Sequence, residues 1–166
     1  MIMPPANIIN PEQLDCTTIV ADRAAIRTVN PQRYEFEMVD AVVLIDSSQQ
    51  IVAGYKDVRG DEFWTRGHFP NNPLLPGVLM CEAAAQLCSY YIVTQHVIDD
   101  GFIVGFGGLE NVRFRTVVRP GDRLILAAKG QRLHRRQSVF NVQGFVGSAM
   151  AFHADIIGIP LKLEAS

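Results

Sequence analysis

The chain reads as an α+β protein in which a curved antiparallel sheet wraps around one long central helix. Three observations predict this. Short stretches rich in Val, Ile and aromatic residues lie on both sides of a single helical segment, that segment is apolar on nearly every face, and no other part of the chain has comparable helical length. A helix that is apolar almost all round must be buried, and a sheet with one apolar face is its natural cover. The 166 residues suit a single domain, since domains run to roughly 100–200 residues.

The elements follow in order. Residues 1–29 form an N-terminal extension broken by Pro4, Pro5 and Pro11, with a weak helical signal over residues 22–28 that Asp22 is placed to cap before Pro31. Residues 30–166 form the domain proper. Residues 34–45 (YEFEMVDAVVLI) and 51–58 predict an antiparallel hairpin, with Asp46, Ser47 and Ser48 at its turn. Gly67, Pro70, Pro73 and Pro76 make residues 60–76 an irregular, stiff loop. The long helix starts at Gly77 or Val78 and runs to about Val97; between Val78 and Cys88 only Glu82 and Gln86 are neither apolar nor small. Four further strands are predicted at 102–118, 123–133, 138–146 and 150–159, with Pro120, Gly121 and Asp122 forming a turn. Tyr90 and Tyr91 are adjacent, so one is expected to face away from the core.

Composition excludes several classes. A hydrophobic content of 48% with 19% charged residues is that of a folded chain. The net charge of −2 argues against a general nucleic-acid binder. Charge is uneven, however: residues 113–136 hold eight basic side chains and one acid, a local +7 against −9 for the rest. No apolar run reaches the roughly 18–20 residues of a membrane span, and the first residues lack a basic and apolar leader; a cytoplasmic location without membrane insertion is the expectation. Cys81 and Cys88 lie on one helix too far apart to pair, Cys16 is left over, and no Cys or His spacing suits a metal, so all three thiols are expected reduced and no metal is expected.

Two residues stand out chemically. Glu82 is a carboxyl group in an apolar helix, where desolvation favours its protonated form; Gln86, one turn on, falls on the same face. Upstream, His68 precedes three prolines in GHFPNNPLLPGV, which restrict the path between its imidazole and the helix. Gly77 opens that helix, where backbone N–H groups lack intrahelical acceptors and lie at the positive end of the dipole. An imidazole that accepts a proton near neutral pH, a carboxylic acid and an N–H aimed at a carbonyl oxygen suit removal of a proton next to a carbonyl with loss of a poor leaving group.

The segment HFPNNPLLPGVLMCEAAAQ resembles the signature of the 3-hydroxyacyl-acyl carrier protein dehydratases of the FabZ type, H-F-P-x-x-P-x-x-P-G-V-L-x-x-E-A-x-A-Q, with every fixed position filled. Weaker likeness extends from about Pro31 (NPQRYEFEMVD) through Val112-Arg113-Phe114-Arg115 and Val118-Arg119-Pro120-Gly121-Asp122 to about Ile159. The resemblance implies a hotdog fold and a lyase that converts a (3R)-hydroxyacyl thioester to the trans-2-enoyl product in type II fatty acid synthesis. It implies that His68 removes the C2 proton, Glu82 serves the C3 hydroxyl, the Gly77 N–H binds the thioester carbonyl and Gln86 supports the acid. It further implies no metal or organic cofactor, a substrate carried on the phosphopantetheine of an acyl carrier protein, and a homodimer that pairs His68 of one subunit with Glu82 of the other; a trimer of dimers is left open. Glu82 stands where the dehydratase-isomerase branch has Asp, against double-bond isomerisation.

The basic stretch offers Arg113, Arg115 and Arg119 as a docking surface for an acidic carrier protein, on one face if the strand stays regular; a merely solvated face is the alternative. Departures from the family pattern are Gln32 for the usual His, Glu35 for Pro and Thr116 for a basic residue, besides the extension 1–29. None falls on the catalytic pair, so they are expected to bear on chain length and pathway. Trp64 and Phe63 are expected to pack the loop, and His134 and His153 to be structural or exposed. A hotdog thioesterase and a non-catalytic acyl-binding protein are the rival readings.

Overall fold

A computed structural model describes residues 3–162. Its elements are β1 (Ala21–Asp22), α1 (Arg23–Val29), a 3-10 turn at Tyr34–Phe36, β2 (Ala41–Asp46), β3 (Ile51–Asp57), α2 (Gly77–Thr94), β4 (Phe102–Phe114), β5 (Arg123–His134), β6 (Gln137–Val146) and β7 (Ala149–Lys162). The seven strands form one antiparallel sheet in the order β1-β2-β3-β5-β6-β7-β4.

The apolar run after Pro76 explains where α2 sits. Met80, Ala83, Ala84, Leu87, Cys88 and Ile92 are buried against Val52, Leu124, Leu126, Phe140, Phe152 and Ile156 of the sheet. Both Tyr90 and Tyr91 are buried too, against the expectation that one must face outward. Enclosure on more than one side removes the choice between faces, and Tyr91 meets Phe140 edge-on at 5.8 Å. The helix stops at Thr94, short of the expected Val97, because His96 takes a left-handed conformation (φ 53°).

Alternation along the strands gives the sheet a second apolar face. Ala53, Ile125, Ala127 and Phe145 are buried yet lie outside the helix-side core. Gln143, fully buried among them and paired with Ala127, accepts from the Ile8 amide at 2.8 Å and donates to the Ala6 carbonyl at 2.9 Å. The N-terminal arm thus crosses the outer face, then contributes β1 and α1, whose Ile26 enters the core. Asp22 caps α1 by accepting from the Ala25 amide at 2.8 Å.

Two predicted strands are shorter than expected. Residues 34–40 are not strand: Tyr34 has φ 58°, residues 34–36 form the 3-10 turn, and the backbone of Phe36 and Met38 is held by Gln86 of α2. Strand β4 ends at Phe114 because Arg115 and Thr116 both donate to the Ala151 carbonyl and Val118 turns to accept from the Leu75 amide at 2.8 Å. β4 pairs with β7 alone, so its other edge is open, with Phe106, Leu109 and Phe114 exposed. Among the described residues no helix is long and apolar enough to cross a membrane.

Candidate active site

The loop that carries His68 is anchored to the sheet through a buried ion pair. Lys56 on β3 is 1% exposed, and its ammonium lies 2.9 Å from Glu62 Oε2. Glu62 also accepts from the Arg59 amide at 2.8 Å and from Trp64 Nε1 at 3.0 Å. Burial would raise the Glu62 carboxyl, but those donors and Lys56 together hold it below the usual carboxylate range, while burial pushes Lys56 down. Trp64 is buried, and its carbonyl accepts from the His68 amide at 2.7 Å. Phe63 is exposed and stacks on Phe36, centroids 6.2 Å apart.

At the end of this chain His68 is half-buried, with its ring against Phe69. Its Nδ1 lies 2.6 Å from the Leu74 carbonyl. A carbonyl only accepts, so Nδ1 carries the proton and Nε2 keeps the lone pair of the neutral ring. The imidazole is thereby oriented as a base. Positive φ at Phe69 and Asn71 folds the loop back on itself, closed by Asn72 N–H to the Phe69 carbonyl at 2.9 Å.

Gly77 borders the same cleft, whose walls include His68, Leu74, Pro76, Phe114 and Arg115. The N-cap position is Pro76, which supplies no side-chain acceptor, so the first N–H groups of α2 stay available to a ligand. A side chain at Gly77 would collide with its surroundings as they stand: a Cβ there would lie 2.7 Å from the Phe114 ring.

Glu82 opens into a different cleft, between α2 and the strands β4, β6 and β7, lined by Gln32, Gln86, Ser89, Ile92, Phe106 and Phe140 among others. Gln86 Nε2 donates to Glu82 Oε1 at 2.8 Å, as the shared helix face predicts. The cleft that holds Glu82 does not include His68, and the cleft that holds His68 does not include Glu82. Gln32, one of the departures from the family pattern, lines the Glu82 cleft. Sequence reading passed over Lys56 and Glu62, and named Gln32 only as a departure from the family pattern; a lysine inside the strand sequence IVAGYKD was the available signal for the ion pair.

Arg113, Arg115 and Arg119 do not share a strand face. A register shift separates Glu110 from Arg113, Arg115 lies beyond the strand, and Arg119 donates to Asn72 Oδ1 at 2.6 Å on the His68 loop. Arg115 borders the His68 cleft and lies beside His153, Nε to Nδ1 3.4 Å. Burial first, then the positive charges of Arg115 and Arg113, lower the His153 pKa. Among the described residues no three His, Cys, Asp or Glu side chains converge on a possible metal site. Cys16, Cys81 and Cys88 are free thiols, and burial pushes Cys81 up to about 11.

Residues 30–155 match the FabA-like domain family. The chain belongs to this family. Among curated FabA-like relatives, the 3-hydroxyacyl-[acyl-carrier-protein] dehydratase FabZ of Desulfotalea psychrophila is 33% identical over 92% of this chain and 97% of its own length. The FabZ of Coxiella burnetii is 36% identical over 81% of this chain and 95% of its own length. Among solved structures, the dehydratase heterocomplex ApeI:P from Xenorhabdus doucetiae superposes with a TM-score of 0.69 at 13% identity, covering 82% of this chain and 91% of that one. At that identity the likeness concerns the fold, and it is the hotdog arrangement of sheet around helix.

Proposed function

We propose that this FabA-like protein is a hydro-lyase that dehydrates (3R)-hydroxyacyl-acyl carrier protein to the trans-2-enoyl form in fatty acid synthesis. The observation that carries the reading is the His68 ring, fixed by the Leu74 carbonyl with Nε2 as its free base and sharing a cleft with the open N-terminus of α2 at Gly77. His68 Nε2 takes the C2 proton, and the C2–H electron pair becomes the C2=C3 double bond as the C3–O bond breaks. Glu82 supplies the proton with which that oxygen leaves as water. The Gly77 N–H binds the thioester carbonyl, where negative charge develops. These groups need no metal or organic cofactor for this step.

His68 and Glu82 face separate clefts, so the site is composite. Two subunits meeting along the open β4 edge bring His68 of one toward Glu82 of the other. That edge is 13 residues long and exposes Phe106 and Leu109, and an open apolar strand edge is one that proteins cover. Arg115 and Arg119, beside the His68 cleft and loop, and Arg113 next to them form the docking surface for the acidic carrier protein.

The test is mass-spectrometric. Acyl carrier substrates of several lengths are followed for gain or loss of water and for free thiol. Loss of water with wild-type protein, and a fall of about 10³-fold in His68→Ala and Glu82→Gln, are expected, since a positioned acid or base contributes about 10²–10⁴. Thiol release without dehydration would make the protein a thioesterase, and neither reaction would leave a binding protein. Mixing the two inactive variants is expected to restore part of the activity through heterodimers; no recovery after demonstrated subunit exchange overturns the shared site.

A further inference from the structure

Gln32 shares a cleft with Glu82. Its backbone is fixed: Arg33 Nη1 donates to the carbonyls of Gln32 and Asn30, at 2.6 and 2.8 Å, and Asn30 Nδ2 donates to the Gln86 carbonyl at 2.9 Å. Gln32 lines the cleft into which Glu82 opens, and on its other side a smaller pocket walled by Ile26, Asn30, Glu37 and Gln86. The Gln32 amide oxygen is shut off from solvent and has no hydrogen-bond partner among the described residues. Buried acceptors are rarely left so, and one on a residue that shares a cleft with Glu82 points to a donor that arrives with the ligand.

We propose that Gln32 Oε1 accepts a hydrogen bond from the C3 hydroxyl of the substrate and so positions that hydroxyl for Glu82. This deepens the dehydratase reading and rests on it. A substrate hydroxyl has one hydrogen and two lone pairs. When Gln32 takes the hydrogen, a lone pair is left facing the Glu82 carboxyl, which must deliver its proton to that oxygen before water leaves. The side chain therefore discriminates 3-hydroxyacyl chains from saturated ones of equal length, which have no such donor. The family pattern has His at this position, another side chain that accepts from a hydroxyl.

The experiment uses Gln32→Met, which keeps the length and removes the acceptor, and Gln32→His. Binding of 3-hydroxybutyryl-pantetheine and butyryl-pantetheine is measured in the His68→Ala background, where no turnover intervenes; kcat and KM are measured with His68 present. Gln32→Met is expected to weaken the hydroxyacyl ligand about tenfold, the worth of one hydrogen bond, and to leave the saturated ligand within about twofold by the same reasoning. Gln32→His is expected to restore most of the difference. Equal weakening of both ligands, or dissociation of the assembly in Gln32→Met, overturns the proposal, because the oxygen then serves packing or a neighbouring subunit. No effect of Gln32→Met while His68→Ala abolishes turnover overturns it and leaves the dehydratase reading standing. Turnover surviving in His68→Ala overturns both.

Discussion

Gln86 Nε2 lies 2.8 Å from Glu82 Oε1 and 2.7 Å from the Phe36 carbonyl, while Gln86 Oε1 accepts from the Met38 amide at 2.9 Å. One buried amide thus fastens the acid to α2 and the segment 36–38 to the helix. Replacing it with Ala strands the Phe36 carbonyl and the Met38 amide, and an unsatisfied buried group costs about 1–3 kcal/mol. Gln86→Ala is expected to lose about 2–4 kcal/mol by urea unfolding on the same scale, and kcat should fall more than KM rises because Glu82 loses its orientation. Unchanged kcat with full loss of stability would confine Gln86 to packing.

The open β4 edge carries the second prediction. Leu109, paired with Ile156 and exposed on that edge, is to be changed to Lys, a residue that blunts strand edges. Leu109→Lys is expected to run as a monomer by light scattering, keep its far-ultraviolet circular dichroism, and lose activity about 100-fold or more, as when a general acid is missing. A fully active monomer would refute the composite site.

Lys56 and Glu62 predict a pH effect. Glu62 is held below the ordinary carboxylate value by the Arg59 amide, Lys56 and Trp64 against the opposing effect of burial. A carboxyl lowered in the folded state stabilises the fold above its unfolded pKa, and this is lost as pH falls through the folded value. Glu62→Gln is expected to cost about 3 kcal/mol at pH 7, because Lys56 is left buried and unpaired. Its stability should then fall less steeply than wild type between pH 6 and pH 3. Parallel acid limbs in the two proteins would mean that Glu62 does not titrate on unfolding.

Much of this was legible in the sequence, for a physical reason. The run from Val78 to Cys88 is apolar enough to dictate a buried helix, and the prolines after His68 confine the loop locally, so His68, Gly77, Glu82 and Gln86 could be named by spacing alone. What stayed hidden depends on contacts distant in sequence. Residues 34–40 look like strand but are bent by Gln86, some fifty positions away. Both Tyr90 and Tyr91 are buried because the chain encloses the helix on more than one side, which one helical wheel does not show. The Lys56–Glu62 pair looks like two surface charges until the loop folds over the strand, and Gln32 and Glu82 share a cleft although fifty positions separate them.

Gly77 and Phe114 make the last prediction. The missing Cβ of Gly77 would lie 2.7 Å from Phe114 Cε1 and Cζ, closer than non-bonded carbons approach. Gly77→Ala must therefore push the Phe114 ring aside or rotate the first turn of α2, and the second outcome misaims the N–H that we propose binds the thioester carbonyl. Phe114 is half exposed at the end of β4, so removing its ring leaves a small void and gives the methyl group room. Gly77→Ala alone is expected to lower kcat about 10²-fold, the worth of an oxyanion donor, with little change in KM. Phe114→Ala alone should mainly raise KM by loosening the cleft. The double variant should recover about tenfold of the lost kcat on that scale, because relief of the collision lets the helix start return. Additive losses in this double-mutant cycle would show that the methyl group itself, and not Phe114, blocks the carbonyl.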